Sequence, residues 1–326
     1  MLLVTGGAGF IGSNVVASLN EAGRTDVVVS DTLGTSGKWR NLQKRQLADF
    51  VPPGDLVRWL EGRKLDALIH LGAISATTAT DGDLVINSNF RLSLRLLDWC
   101  TATRTRFIYA SSAATYGDGT AGFDDDVSLE SLRRLKPLNL YGWSKHLFDL
   151  LVLDRLSKRQ NLPPQWVGMK FFNVFGPNEY HKGDMMSVLA KAFDVVRNGG
   201  AVRLFKSHMP GVADGDQQRD FIYVDDVVNV IGWLIASPEV CGIFNVGSGK
   251  ARSFRDMILA MFRALAQTPS IEYIDMPPEI RDSYQYFTEA PVDNLRRAGW
   301  AGQFTPLEQA VEQYVSLFLN HRDRYR

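Results

Sequence analysis

Three glycines spaced three residues apart, Gly6, Gly9 and Gly12, lie between Leu2-Leu3-Val4-Thr5 and a stretch with apolar residues at Val15, Val16 and Leu19. The pattern predicts a short buried strand, a glycine turn, then a helix over Ser13 to Asn20. Gly6 allows the tight turn, Gly9 lets the backbone approach a pyrophosphate, and Gly12 lets helix pack closely on strand. The helix start then offers free N–H groups and a partial positive charge to an anion. A glycine motif alone says little, because turns need glycine anyway. Here a second strand follows, Asp26 to Ser30, and ends in Asp31, nineteen residues beyond Gly12. An acid at that distance hydrogen-bonds an adenosine ribose; the plainer reading is a strand-end turn residue. Lys38 and Arg40 follow, and either could meet a 2′-phosphate or simply point to solvent.

The same alternation continues. Leu56 to Leu60 reads as a helix and Leu65 to Leu71 as a strand, which opens into Gly72-Ala73-Ile74-Ser75. Phe90 to Cys100 has helical periodicity, and Asn87, Ser88 and Asn89 before it suit either capping or cofactor contact. Phe107 to Ala110 and Trp166 to Phe171 are further strands. The order predicts an α/β chain built on a doubly wound parallel sheet, whose ligands sit beyond the carboxyl ends of the strands. His70 has apolar sequence neighbours and reads as a satisfied core residue. Asp124-Asp125-Asp126 reads as a solvated loop.

Tyr141 and Lys145 stand four residues apart on a helical stretch, so they share one face with about 5–6 Å between their Cβ atoms. A phenol titrates near ~10, too high for a base at neutral pH, and bringing it to about 7 takes on the order of 4 kcal/mol. One ammonium about 4 Å away supplies about that much at an effective dielectric of about 20. The spacing by itself fits an ordinary amphipathic helix equally well. Its meaning comes from the strand end at Ser111-Ser112, which a doubly wound sheet places beside it.

The 326 residues suffice for one large or two interleaved domains. Thirty-six basic and thirty-six acidic residues cancel, which gives no footprint for nucleic acid. Cys100 and Cys241 are the two cysteines, far apart and in apolar surroundings; a reducing cytoplasm is expected rather than a disulfide framework. No signal peptide is visible ahead of the first strand. No apolar run reaches about 18 residues, so no membrane span is expected. Five histidines show no paired ligand spacing, and no metal site is expected.

Gly6-x-x-Gly9-x-x-Gly12, Ser112 and Tyr141-x-x-x-Lys145 together resemble the extended short-chain dehydrogenase/reductase family, which acts on nucleotide sugars. Within it, Gly6 to Asn14, Tyr109 to Gly117, Lys136-Pro137-Leu138-Asn139, Phe172 to Pro177, His181-Lys182-Gly183 and Tyr284-Gln285-x-Phe287-Thr288 resemble the branch that epimerises ADP-heptose at C6. The resemblance covers nearly the whole chain. It implies a Rossmann sheet with a second, smaller α/β substrate domain. Residues 1–172, with a return segment about 219–247, would bind cofactor, and 173–218 with 248–326 would bind the sugar nucleotide. It implies NADP, with NAD the alternative, since Asp31 favours a free 2′-hydroxyl and Lys38 a phosphate. It implies a homo-oligomer, a pentamer being one candidate state.

By the same resemblance the catalytic residues are Ser112, Tyr141, Lys145 and Lys182. The cofactor would meet Gly6, Gly9, Phe10, Ile11, Gly12, Asp31, Lys38, Leu71, Gly72, Ala73, Ser75, Asn89, Tyr141, Lys145 and Val174. Substrate would meet Ser112, Asn173, Phe205, Arg219 and Tyr284, with Arg219 on the diphosphate, where a guanidinium fork fits. The polar stretch Ser207 to Gln218 is longer than the family pattern, and it lies near segments expected to touch the nucleotide. The implied reaction inverts one carbinol carbon by transient oxidation and re-reduction on the other face, with Tyr141 and Lys182 exchanging the proton and Lys145 lowering the Tyr141 pKa. A 4,6-dehydratase would need an acid near Ser112, where Ala113 and Ala114 offer none. A UDP-sugar 4-epimerase would not need Lys182. A non-catalytic sugar-nucleotide sensor would bind ligand without converting it.

Overall fold

The computed structural model describes residues 1–126, 128–281 and 284–326. Seven parallel strands form the central sheet: β1 (Leu2–Thr5), β2 (Val27–Ser30), β3 (Asp49–Val51), β4 (Ala67–His70), β5 (Arg106–Ser112), β6 (Trp166–Phe171) and, much later in the chain, β10 (Gly242–Val246). Their order across the sheet is β10-β6-β5-β4-β1-β2-β3. The chain runs outward from β1 through β2 and β3, then returns to the other side of β1 with β4. The crevice between β1 and β4 is therefore the point where the winding reverses, and the glycine turn leaves β1 at that point.

Both faces of this sheet are covered, and the strands show why. Leu2 and Val4, Val27 and Val29, and Ala67 and Ile69 pack on one side with Val15 and Val16 of helix Phe10–Glu21 and with Val227 to Leu234 of helix Val224–Ala236. Leu3, Val28, Leu68, Phe107 and Tyr109 face the opposite side, against Leu96, Leu97, Phe148 and Val152. Successive side chains point to opposite faces, so a fully enclosed parallel strand needs apolar residues at every position, as these runs have.

The remaining strands build two small sheets. In one, β7 (Asn173–Phe175) pairs parallel with β9 (Gln218–Tyr223), which pairs antiparallel with β11 (Ala251–Ser253). In the other, β8 (Val202–Phe205) pairs parallel with β12 (Ile271–Ile274). A further apolar cluster joins Phe175, Phe193, Leu204, Met257, Val311 and Tyr314, and Phe10 of the first helix reaches into it.

Several sequence expectations shift at this level. The first helix starts at Phe10 rather than Ser13, because Gly9 already serves as its N-cap. The helix expected from Phe90 begins at Gly82, capped by Asp81, passes through a π-helical turn at Ile86–Arg91 and continues to Thr103. Asn87, Ser88 and Asn89 are thus interior residues and not caps. Asp125, expected in a solvated loop, is buried: its carboxylate accepts from Asn245 N at 2.7 Å and so ties the loop to β10. The return segment enters the large sheet at β10, whereas β9 stays in the three-stranded sheet.

Candidate active site

The carboxyl ends of β1, β4, β5 and β6 open into one cavity of about 650 Å³. Gly6, Gly9, Phe10, Ile11, Gly12, Asp31, Lys38, Leu71, Gly72, Ala73, Ser75, Ser112, Tyr141, Lys145, Asn173, Val174 and Lys182 all line it. Asn89, Phe205, Arg219 and Tyr284 do not stand on its wall.

The glycine turn is shaped for close approach. Gly6 has φ +68°, and a Cβ there would lie 2.6 Å from the Gly72 nitrogen. A Cβ on Gly12 would collide with the Gly6 carbonyl oxygen, so helix and strand could not meet as they do. No side chain caps the helix that follows, which leaves its first N–H groups turned to the cavity. A dinucleotide's pyrophosphate fits this cradle. Asp31, 8% exposed, accepts from Ala8 N at 2.9 Å and Thr32 N at 2.7 Å, and it pairs with Lys38 Nζ at 2.6 Å. Acid and cation therefore sit together on the cavity wall, just past the carboxyl end of β2.

Helix Leu140–Ser157 carries Tyr141 in its first turn, capped by Asn139, whose Oδ1 accepts from Gly142 N at 2.8 Å. Gly142 lets this helix lie against the turn after β5: a Cβ there would stand 2.6 Å from the Ala114 carbonyl oxygen. Ser112, the last residue of β5, caps that turn through Ala114 N at 3.1 Å. Burial raises the Tyr141 pKa above its usual value, and a hydrogen bond with Ser112 opposes the rise. Burial lowers Lys145 to about 8, with Asp149 pulling the other way.

The Tyr141 pKa, expected to fall beside Lys145, is raised by burial instead. The Lys145 amine donates to the Ala110 carbonyl at 2.8 Å. Behind the pair lies a fully buried network, in which Asp149 accepts from Tyr109 Oη at 3.0 Å, Ser111 Oγ at 2.6 Å and Lys170 Nζ at 3.0 Å.

Lys182 comes from a different part of the chain, the turn Tyr180–Met185. Read by itself, that position suggests a surface cation. In the structure the side chain is half-buried, its amine lies 5.1 Å from the centroid of the Phe10 ring, and burial lowers its pKa. Tyr141 and Lys182, 41 positions apart in the chain, thus share one cavity wall.

Asn89 plays a part other than cofactor contact. Its amide accepts from Ile74 N at 2.8 Å and donates to Ile74 O at 2.9 Å and Ser144 Oγ at 3.0 Å. It thereby fixes the loop after β4 to the Tyr141 helix. Phe205, Arg219 and Tyr284 do come together, as a box beside the cavity. The Arg219 guanidinium lies 5.1 Å from the Tyr284 ring and 5.6 Å from the Phe254 ring, and Phe205 meets Tyr284 edge-on at 6.3 Å. Phe254 belongs to the box and to the cavity wall alike. The long stretch Ser207 to Gln218 is anchored by Gln217, which donates to the carbonyls of Phe205 and Lys206.

Sequence reasoning passed over Met185, Met186 and Ser187 on the cavity wall, and Glu179 buried behind it. His181, quoted above only as part of a motif, also lines the cavity and hydrogen-bonds Asn41 at 3.2 Å. Nothing local marks Glu179 or the methionines, because their burial comes from residues distant in sequence.

Residues 2–247 match the model of the NAD dependent epimerase/dehydratase family. The chain is 50% identical, over the full length of both, to the ADP-L-glycero-D-manno-heptose-6-epimerase of Nitratidesulfovibrio vulgaris. It is 43% identical, again over the full length of both, to the enzyme of that name from Fusobacterium nucleatum. Among solved structures, the Helicobacter pylori ADP-L-glycero-D-manno-heptose-6-epimerase superposes with a TM-score of 0.79 at 28% identity, covering 96% of this chain and 94% of that one. With the reversal crevice, the glycine cradle and the Ser112, Tyr141 and Lys145 wall in place, the chain belongs to the NAD dependent epimerase/dehydratase family.

Proposed function

We propose that the chain is an epimerase that inverts C6 of the heptose in ADP-D-glycero-D-manno-heptose, with a bound NADP. The observation that carries this reading is that the Lys182 amine stands on the wall of the same cavity as Tyr141, half-buried over the Phe10 ring. The full-length relatives of that name support the substrate.

A hydroxyl-bearing carbon has no acidic C–H, so deprotonation cannot invert it. When bound, the nicotinamide supplies the missing chemistry by accepting a hydride from that carbon and returning it. The glycine cradle, Asp31, Lys38 and Lys145 would hold the dinucleotide. Tyr141 would take or give the hydroxyl proton, with the Ser112 hydrogen bond favouring its phenolate form. Lys182 would do the same for an oxygen presented from a second position, since C6 lies outside the sugar ring and turns about one bond. A group whose pKa is lowered toward the working pH is the better proton carrier. The Phe205, Arg219 and Tyr284 box would take the nucleotide diphosphate. We assign residues 1–172 and 219–247 to the cofactor lobe, and 173–218 and 248–326 to the sugar-nucleotide lobe. NADP is favoured over NAD because Lys38 already compensates the Asp31 carboxylate, which otherwise repels a 2′-phosphate.

The test is incubation with ADP-D-glycero-D-manno-heptose, with product followed by NMR. Conversion to the L-glycero form is expected. Lys182→Ala should lower kcat by about 10²–10⁴-fold while cofactor affinity holds. A UDP-sugar 4-epimerase would keep its activity in that variant. A sugar-nucleotide sensor would show binding without conversion.

A further inference from the structure

The amine of Lys182 rests 5.1 Å from the centroid of the Phe10 ring, and Phe10 is the residue that opens the first helix. The two elements that present amine and ring are bonded to each other. Asn14 Nδ2, one turn along that helix, donates to Pro177 O at 2.9 Å, and Asn178 Nδ2 donates to Ser13 Oγ at 3.0 Å. Asn41 Nδ2 donates to Asn178 O at 3.1 Å and to Ala8 O, inside the glycine turn, at 2.9 Å. Asn178 itself is completely buried, with φ +72°, and stands just ahead of the Tyr180–Met185 turn. The chain leading into Lys182 is thus stitched to the first turn of the helix that carries the ring. Bonded backbone, and not a wandering side chain, sets the distance between them.

Among the described residues, no side chain or carbonyl accepts a hydrogen bond from this amine, and no carboxylate pairs with it. The titratable groups that face it are Glu179, Lys191 and His181. Glu179 spends its carboxylate on Gly176 N, Ser187 N, Ser187 Oγ and Tyr314 Oη. Lys191, on helix Val188–Arg197, repels a second cation, and the start of the first helix carries a partial positive charge that does the same. An aromatic face attracts a cation electrostatically, and most strongly where water is excluded. Phe10 is 7% exposed, packs in one apolar cluster with Phe175 and Leu189, and also lines the cavity. Packing calls for the bulk of that side chain. It does not call for an ammonium against a π system.

We infer that Phe10 is a positioning residue for Lys182: its ring takes the ammonium in a cation–π contact and fixes it on the cavity wall. This rests on the reading of Lys182 as the second proton-transfer group. It extends that reading, because the residue whose backbone opens the helix at the glycine cradle then also sets, through its side chain, where the second proton carrier stands. The phosphate-facing helix start and the amine are tied together by one residue.

The test changes the charge of the ring face and leaves its shape nearly alone. Amber suppression at position 10 of the full-length protein installs phenylalanine or its mono-, tri- or pentafluorinated form. Fluorine withdraws electrons from the ring and weakens its hold on a cation step by step. Each protein is labelled with trace acetic anhydride across a pH series, and acylation of Lys182 is followed by peptide mass spectrometry, with the other lysines as internal references. The midpoint for Lys182 should step down with increasing fluorination, by about one pH unit over the whole series. Glu179, Lys191 and His181 are the same in every member, so none of them produces the trend. Phe10→Leu, which fills the site without a π face, should also titrate below wild type. A midpoint that stays level across the fluorinated series overturns the proposal, whatever Phe10→Leu does, and leaves the ring as packing. Should Phe10→Leu fail to fold, the series decides by itself. Activity is scored separately: if the midpoint steps down but wild-type protein never epimerises ADP-heptose, the functional reading fails and the contact stands.

Discussion

At the scale of single residues, burial decides which ionisable groups are free to act. His70 ends β4 buried, and both ring nitrogens are engaged, with Thr5 Oγ1 at 2.6 Å and Ser93 Oγ at 2.8 Å. Burial, and then the Lys145 charge, push its pKa down to about 3. Between about 6.5 and about 3, the unfolded chain binds a proton there that the folded chain refuses. The stabilisation is complete above the unfolded value and is lost as pH falls, by about 1.4 kcal/mol per pH unit for this one site. Urea unfolding from pH 6 to pH 4 should therefore show a shallower loss in His70→Asn than in wild type. His181, also lowered, to about 4, contributes equally to both proteins and cancels in the difference. Parallel slopes would mean that the imidazole is protonated in the native state. The sequence already marked His70 as a satisfied core residue from its apolar neighbours. It gave no sign of Glu179, whose burial depends on Tyr314, far along the chain.

At the scale of elements, the helix bearing Tyr141 shows how a local signal places a reactive group. Asn139 accepts from Gly142 N and sets where the helix begins, and Tyr141 stands in the first turn after it. Asn139→Ala should cost about 1 kcal/mol of stability, the usual loss of a cap. It should also lower kcat more than it changes cofactor affinity, because fraying at this end displaces the phenol before Lys145. Urea unfolding and a single-turnover assay would check the two halves, and a kcat equal to wild type would detach the cap from the chemistry. Strands β1, β2, β4, β5 and β6 were legible because short continuous apolar runs bounded by turn residues carry their own signature, whereas the short β3 was not. The start of helix Leu92–Thr103 was not. It is reached through a π-helical turn, and Asn89 there is spent on Ile74 and Ser144 rather than on a cap or a cofactor.

At the scale of the whole molecule, the cavity draws on both ends of the chain's fold: the glycine turn and Asp31 from the first strands, Lys182 and Phe254 from the later segments. A ligand that bridges such parts binds the folded state alone and stabilises it. At about 100 times its Kd, cofactor should add about 2.7 kcal/mol. The rise in Tm should be larger with NADP than with NAD, and Lys38→Ala should remove most of that difference. Equal shifts in wild type would remove the NADP preference, and a larger shift with NAD would reverse it. The C-terminal residues join the same assembly: Arg326 reaches Glu21 of the first helix at 2.9 Å and Asp225 of helix Val224–Ala236 at 2.5 Å. Neither contact has a local signature, since the partners lie hundreds and about one hundred positions away.

The amino-acid order alone determined the parallel sheet, the tight glycine turn and the Tyr141–Lys145 face, because each rests on spacings within about thirty residues that strand and helix geometry convert directly into position. The folded chain alone decided the electrostatics. That Lys145 hydrogen-bonds Ala110, that Tyr141 is desolvated, that Asp125 and Glu179 are buried and that Lys182 leaves the surface for the cavity wall all follow from packing between distant segments. Charge energies depend on how much water is excluded and on which opposite charge lies near, and both are properties of three-dimensional neighbourhood that no local pattern of residues encodes.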